Sequence, residues 1–133
     1  MAERVIVELT REQAQAVMSA TELLARLEIG QFREITWQFL DKFSKNGRFD
    51  HVRRDRADDL LEEACRLIFG AKAGFIDISE KSITHERCWA VYSTIRHALS
   101  WHDHPEGGIT VNFDPPMGYG EPMPVCRVEE EGE

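Results

Sequence analysis

The chain lacks any apolar run approaching the roughly 18 to 20 residues that a bilayer-spanning helix needs. Its opening, MAERVIVELT, lacks the hydrophobic region of a signal peptide. A cytosolic protein with no membrane partner is therefore expected. Cysteine is scarce: Cys65, Cys88 and Cys126 form an odd set without CxxC spacing, which argues for reduced, mostly buried thiols. A nucleophilic Cys with a His partner is the alternative, since such pairs need only be neighbours in space. A cationic surplus is also missing. Lys and Arg total 16 against 24 Asp and Glu, a net charge of -8, so no global field is available to hold a nucleic acid polymer. A local basic patch for a small anion is still allowed. P-loop, GxSxG, Rossmann and HExxH motifs are all absent. The expectation is binding without turnover, with no cofactor.

The 133 residues fit one domain over 1–133, and 42% hydrophobic with 30% charged residues is a globular balance and not a disordered one. The end VEEEGE, residues 128–133, reads as a solvated, mobile acidic tail. RVIVELT (4–10) alternates Val5, Val7 and Leu9 against Ile6 and Glu8, the pattern of a short strand. Thr10 and Gln13 then form a capping-box signal, and Ala14, Val17, Met18, Thr21, Leu24 and Ala25 line one face of a first helix that runs to Gly30. Phe32, Ile35, Thr36, Phe39, Leu40 and Phe43 predict a second helix, closed by Asn46-Gly47. After RFDHVRRD as linker, RADDLLEEACRLIFG predicts a third helix with Asp58 and Asp59 in its first turn. AKAGFIDIS (71–79), with Phe75, is either a brief strand or a core-plugging loop.

Thr84 is the expected cap of a fourth helix with the stripe Cys88, Val91, Tyr92, Ile95, Ala98 and Leu99, stopped by Pro105, Gly107 and Gly108. ITVNF (109–113) predicts a second strand, and VCRV is a candidate third. The fold class expected is α+β: three or four amphipathic helices packed on a small antiparallel sheet built from 4–10 and 109–113, in a single domain.

The densest chemistry lies in IRHALSWHDHPEGGITVNFDPP (95–116). His97, His102, His104 and Asp103 offer imidazole and carboxylate for a metal, but positions 97 and 102 lie about 140° apart round a helix and the other imidazoles fall where the helix ends. No metal is expected, and the simple reading is imidazoles favoured by the helix C-terminal dipole. A better pattern is Trp89, Ser93, Arg96 and Ser100 at three-four spacing, with Tyr92 at the border. Arg forks onto phosphate and aromatic faces stack on a base. The simple reading of the same stripe is a core or subunit contact. A second basic cluster is Arg53, Arg54 and Arg56, and the amides of Gly107 and Gly108 could cradle an anion or merely end the helix. The candidate ligand set is Trp89, Tyr92, Arg96 and His97, joined by Arg53 and Phe75.

LTREQAQAVMSATELLARLEIGQFREI near the front and YSTIRHALSWHDHPEGGITVNFDPPMGYGEPMP at the far end, with the third helix between them, form a pattern that spans nearly the whole chain, and it resembles a set of short bacteriophage proteins. That set is similar to the Thoeris anti-defence sponges, which sequester cyclic ADP-ribose signals made by bacterial TIR-domain enzymes; some also take cyclic oligonucleotides. The resemblance implies a homo-oligomer in the host cytoplasm that binds a small nucleotide signal between subunits without cleaving it. A phage inhibitor that binds a host protein is the alternative, and a DNA mimic ranks third because the carboxylates are scattered among Arg residues.

Overall fold

A computed structural model describes residues 3–70, 82–118 and 120–130. These residues are mostly helical with one small antiparallel sheet. In chain order they form α1 (Arg11–Glu28), α2 (Glu34–Gln38), a 3-10 turn (Leu40–Phe43), β1 (Ser44–Lys45), β2 (Arg48–Phe49), α3 (His51–Phe69), α4 (Ile83–Asp103) and a second 3-10 turn (Val111–Phe113). No helix among them is long and apolar enough to cross a membrane. The chain divides into two compact units, one of residues 22–88 and one of residues 1–21 with 89–133. The segment AKAGFIDIS, including Phe75, falls outside the described residues.

Each long helix begins at a polar cap. The capping box of α1 is reciprocal: the Gln13 amide donates to Thr10 Oγ1 at 3.2 Å, and the Thr10 amide donates to Gln13 Oε1 at 2.9 Å. Helix α3 starts at His51, five residues earlier than the sequence pattern suggested, because Asp50 accepts from the Arg53 amide at 3.0 Å. Asp58 and Asp59 therefore lie in its interior and not in its first turn. Helix α4 is capped by Ser82, not Thr84: the His85 amide donates to Ser82 Oγ at 3.0 Å and the Glu86 amide to Ser82 O at 3.2 Å.

The expected sheet is corrected in position. Residues 4–10 form no strand, and 109–113 folds instead into a bend and a 3-10 turn with the Phe113 amide on Thr110 O. Side chains of α4 engage the carbonyls of both Asn112 and Phe113, so these groups are satisfied without a ladder. VCRV is likewise no strand. The observed sheet is the hairpin β1–β2, with Ser44 opposite Phe49 and Lys45 opposite Arg48. Asn46 and Gly47 link its strands at φ 54° and 74°, the left-handed pair that an Asn-Gly hairpin turn requires. The second helix is correspondingly short, because the chain passes into the 3-10 turn after Gln38 and then enters the hairpin.

In the unit 22–88 the core gathers Ala25, Cys65, Thr36 and His85. Cys65 Sγ reaches Gly30 O at 3.4 Å, and His85 Nδ1 lies 2.7 Å from Ala25 O, so that ring nitrogen carries the proton, since a carbonyl only accepts. The Thr36 hydroxyl lies 2.7 Å from Asp58 Oδ1 and 2.8 Å from Arg33 O, linking α2 to α3. Thr36→Val keeps the shape and removes the donor, leaving a half-buried carboxylate short of a partner. A loss of about 1–2 kcal/mol is expected, read as a drop of a few degrees in thermal midpoint. Thr36→Ser should retain most of that stability, and a Val variant as stable as the parent would show that the contact adds nothing.

In the unit 1–21 with 89–133, Ala90, Ser93 and Thr94 are buried. An Arg11–Asp103 ion pair joins the start of α1 to the end of α4 within it.

Candidate functional site

Helix α4 carries most of the candidate residues. A helix sets residues three and four apart on one face, and Trp89, Tyr92 and Arg96 accordingly form a continuous line. The Trp89 and Tyr92 ring centroids are 5.1 Å apart, tilted by 50°. The Arg96 guanidinium carbon lies 4.9 Å from the Tyr92 ring centroid, and an Arg96 terminal nitrogen donates to the Tyr92 hydroxyl at 3.3 Å. Stacking on Tyr92 holds the guanidinium plane in place without a carboxylate. Among the described residues no carboxylate pairs with Arg96, and its Nε is buried without a hydrogen-bond acceptor. In a chain with an excess of acids, a guanidinium held by an aromatic ring and not by a carboxylate stands out. Ser93, the fourth member of the stripe, is buried and donates to Trp89 O at 2.7 Å, so it serves the helix and not a ligand.

His97 faces a different task. Its Nδ1 lies 3.2 Å from Asn112 O, and one turn on Trp101 Nε1 donates to Phe113 O at 3.1 Å. These two contacts clamp the chain after it reverses at Gly107, which has φ 82°. Trp101 meets Phe113 edge-on at 5.4 Å, and the glycine pair lies under the same rings. A Cβ at Gly107 would lie 2.9 Å from the Trp101 ring, and one at Gly108 would lie 2.5 Å from the Phe113 ring. The missing side chains leave room for the rings, and the Gly107 amide donates to His104 O at 2.8 Å. The other imidazoles are engaged separately: His102 Nε2 lies 2.7 Å from Glu130 Oε1, and His104 Nδ1 lies 3.5 Å from Glu106. Glu130 belongs to the segment expected to be a free acidic tail, and this contact ties it to α4. Among the described residues no three His, Cys, Asp or Glu side chains are grouped to hold a metal.

Arg53 belongs to the unit 22–88. It donates to Lys42 O at 2.8 Å and covers the Phe43 ring at 5.4 Å, fastening α3 to the 3-10 turn before the hairpin. Phe75 lies outside the described residues. The structure thus brings together three of the six candidates, Trp89, Tyr92 and Arg96, with His97 beside them committed on one nitrogen.

Sequence reasoning missed a cleft of about 490 Å³ in the unit 22–88, lined by Arg33, Trp37, Arg54, Asp55, Asp58 and Asp59 among others. Its signal was Trp37, which lies off the apolar stripe of its helix and is 65% exposed. Both cations of the cleft are already neutralised: Arg33 pairs with Glu62 at 3.3 Å, and Arg54 with Asp55 at 3.0 Å and Asp58 at 3.5 Å. An anionic ligand has less to gain there than at Arg96.

Two of the three thiols, Cys88 and Cys126, are not activated. Burial pushes the Cys88 thiol up, with the Glu28 carboxylate adding to the effect, and burial does the same to Cys126. Both are therefore held as thiols at neutral pH, whereas the thiolate is the reactive form.

No family model, curated protein or solved structure matches this chain.

Proposed function

We propose that the protein binds and sequesters a small cyclic nucleotide of the cyclic ADP-ribose type, without cleaving it, as a homo-oligomer in the cytoplasm of a phage-infected host. The observation that carries this reading is Arg96, stacked on Tyr92 beside Trp89 with no acidic partner among the described residues. A dianionic ligand with a base needs a guanidinium for phosphate and a ring face for stacking, and both stand one helical turn apart. Sequestration requires no general base, which agrees with the resemblance of the two sequence blocks to the sponge set. A host-protein inhibitor is the alternative reading.

The test is thermal unfolding of the purified protein with and without cyclic ADP-ribose isomers and cyclic di- and trinucleotides, followed by chromatography of the heat-released ligand. A rise of several degrees with intact ligand recovered supports the reading, because a ligand selective for the native state must stabilise it. Turnover products would make it an enzyme. No shift with any compound would overturn the proposal and favour the host-protein inhibitor.

A further inference from the structure

The segment that leads into α1 has the composition of a strand and none of its pairing. Val5, Ile6 and Val7 are 87%, 89% and 66% exposed, and among the described residues no hydrogen bond reaches the backbone of residues 4–9. β-branched side chains in alternation suit a pleated surface that another strand covers. The segment emerges from a fixed point, because the capping box at Thr10 and the Arg11–Asp103 ion pair hold the residues that follow it. An apolar segment of strand-like composition with unpaired amides and carbonyls is a template for a further strand.

The sequence itself says which strand fits. Read about Ile6, Arg4-Val5-Ile6-Val7-Glu8 is symmetric in its apolar residues and opposite in its charges. Antiparallel pairing of two copies about a two-fold axis at Ile6 sets Ile6 against Ile6, Val5 against Val7, and Arg4 against Glu8 twice. Directly opposed side chains share a face of the ribbon, so each of these pairs touches. The registers two residues to either side set Ile6 against Arg4 or against Glu8 and break both ion pairs. Parallel in-register pairing sets Arg4 on Arg4 and Glu8 on Glu8. One arrangement alone satisfies charge and shape together, and it is isologous, as two-fold dimers are.

We infer that residues 4–8 form an intermolecular antiparallel ribbon with the same segment of a second copy of this chain. The inference stands apart from the ligand proposed above, since it uses neither Arg96 nor the rings of α4. A two-stranded ribbon is modest alone, so the association is concentration-dependent and, through its exposed ion pairs, weakened by salt.

The experiment is sedimentation velocity of the full chain over a concentration series, for the parent, Arg4→Glu, Glu8→Arg, and the double variant Arg4→Glu/Glu8→Arg. Each single variant places like charges opposite one another at both ends of the ribbon and should weaken self-association about tenfold or more. The double variant restores both pairs in reversed sense and should associate like the parent. A 1:1 mixture of the two single variants should also associate, because the acidic copy then faces the basic one. Far-ultraviolet circular dichroism confirms that all four are equally helical. The inference is overturned by a parent that stays monomeric at high concentration, by single variants that associate like the parent, or by a mixture that fails to recover association.

Discussion

Replacing Arg96 by alanine lowers affinity for a cyclic ADP-ribose-type ligand about 100-fold, the expected result if its guanidinium forks onto phosphate. Two charge-assisted hydrogen bonds at roughly 1.5 kcal/mol each account for that factor. The thermal readout is correspondingly clear. At ligand one hundred times the parent Kd, stabilisation is about 2.7 kcal/mol, and a hundredfold weaker variant retains about 0.4 kcal/mol at the same concentration. A midpoint shift of roughly 10 °C should fall to one or two degrees. Arg96→Lys keeps the charge but loses the planar fork, so an intermediate loss of about tenfold is expected. Tyr92→Phe keeps the stacking ring and removes only the hydroxyl that accepts from Arg96 at 3.3 Å, and its effect should be smaller than either. Helical content should be unchanged in all three, because Arg96 makes no ion pair among the described residues. An Arg96→Ala protein with the full ligand shift would remove α4 from the binding site.

The legible parts of this chain are those fixed by local geometry. Helices α1 and α4 followed from apolar spacing sustained over 18 and 21 residues, a period that few other structures satisfy. The Trp89–Tyr92–Arg96 line was legible for the same reason. Helix α3 was misread at its start because its first turns, HVRR, carry no apolar stripe and Val52 is 80% exposed; the informative signal was the Asp50 cap. The strands at 4–10 and 109–113 show what alternation leaves open. It says that a segment suits a pleated surface, and it says nothing about whether a partner strand exists. At 109–113 the competing demand came from His97 and Trp101, two side chains that capture backbone carbonyls after a chain reversal. The hairpin was missed in the opposite sense, since two-residue strands carry no periodicity and Asn46-Gly47 alone encodes it. The Trp37 cleft depended on how α2 meets α3, which no local pattern records.

The glycine reversal after α4 yields the second large effect. Gly107 has φ 82°, a left-handed conformation that costs an L side chain about 1–2 kcal/mol, and its missing Cβ leaves room for the Trp101 ring 2.9 Å away. Gly107→Ala therefore combines two penalties, backbone strain and displacement of the ring, for a total of about 3 kcal/mol. The ring cannot yield cheaply. Its Nε1 donates to Phe113 O and its edge packs on Phe113, so moving it breaks the hold on 111–113. Trp101→Ala alone removes that hydrogen bond and a large, partly exposed side chain, and a loss of about 2–3 kcal/mol is expected. The double variant separates the two penalties. With Trp101 gone the three nearest atoms to the new methyl group are removed, so Gly107→Ala then costs mainly the strain, and the two losses sum to more than the double variant shows. A coupling of about 1–2 kcal/mol in denaturant unfolding is the expected outcome. Strict additivity would mean that the ring gives way freely and that φ alone explains the glycine. In either case hydrogen exchange should rise at 111–113 in every variant that disturbs the ring, because these residues are held by side chains of α4 and not by a ladder of their own.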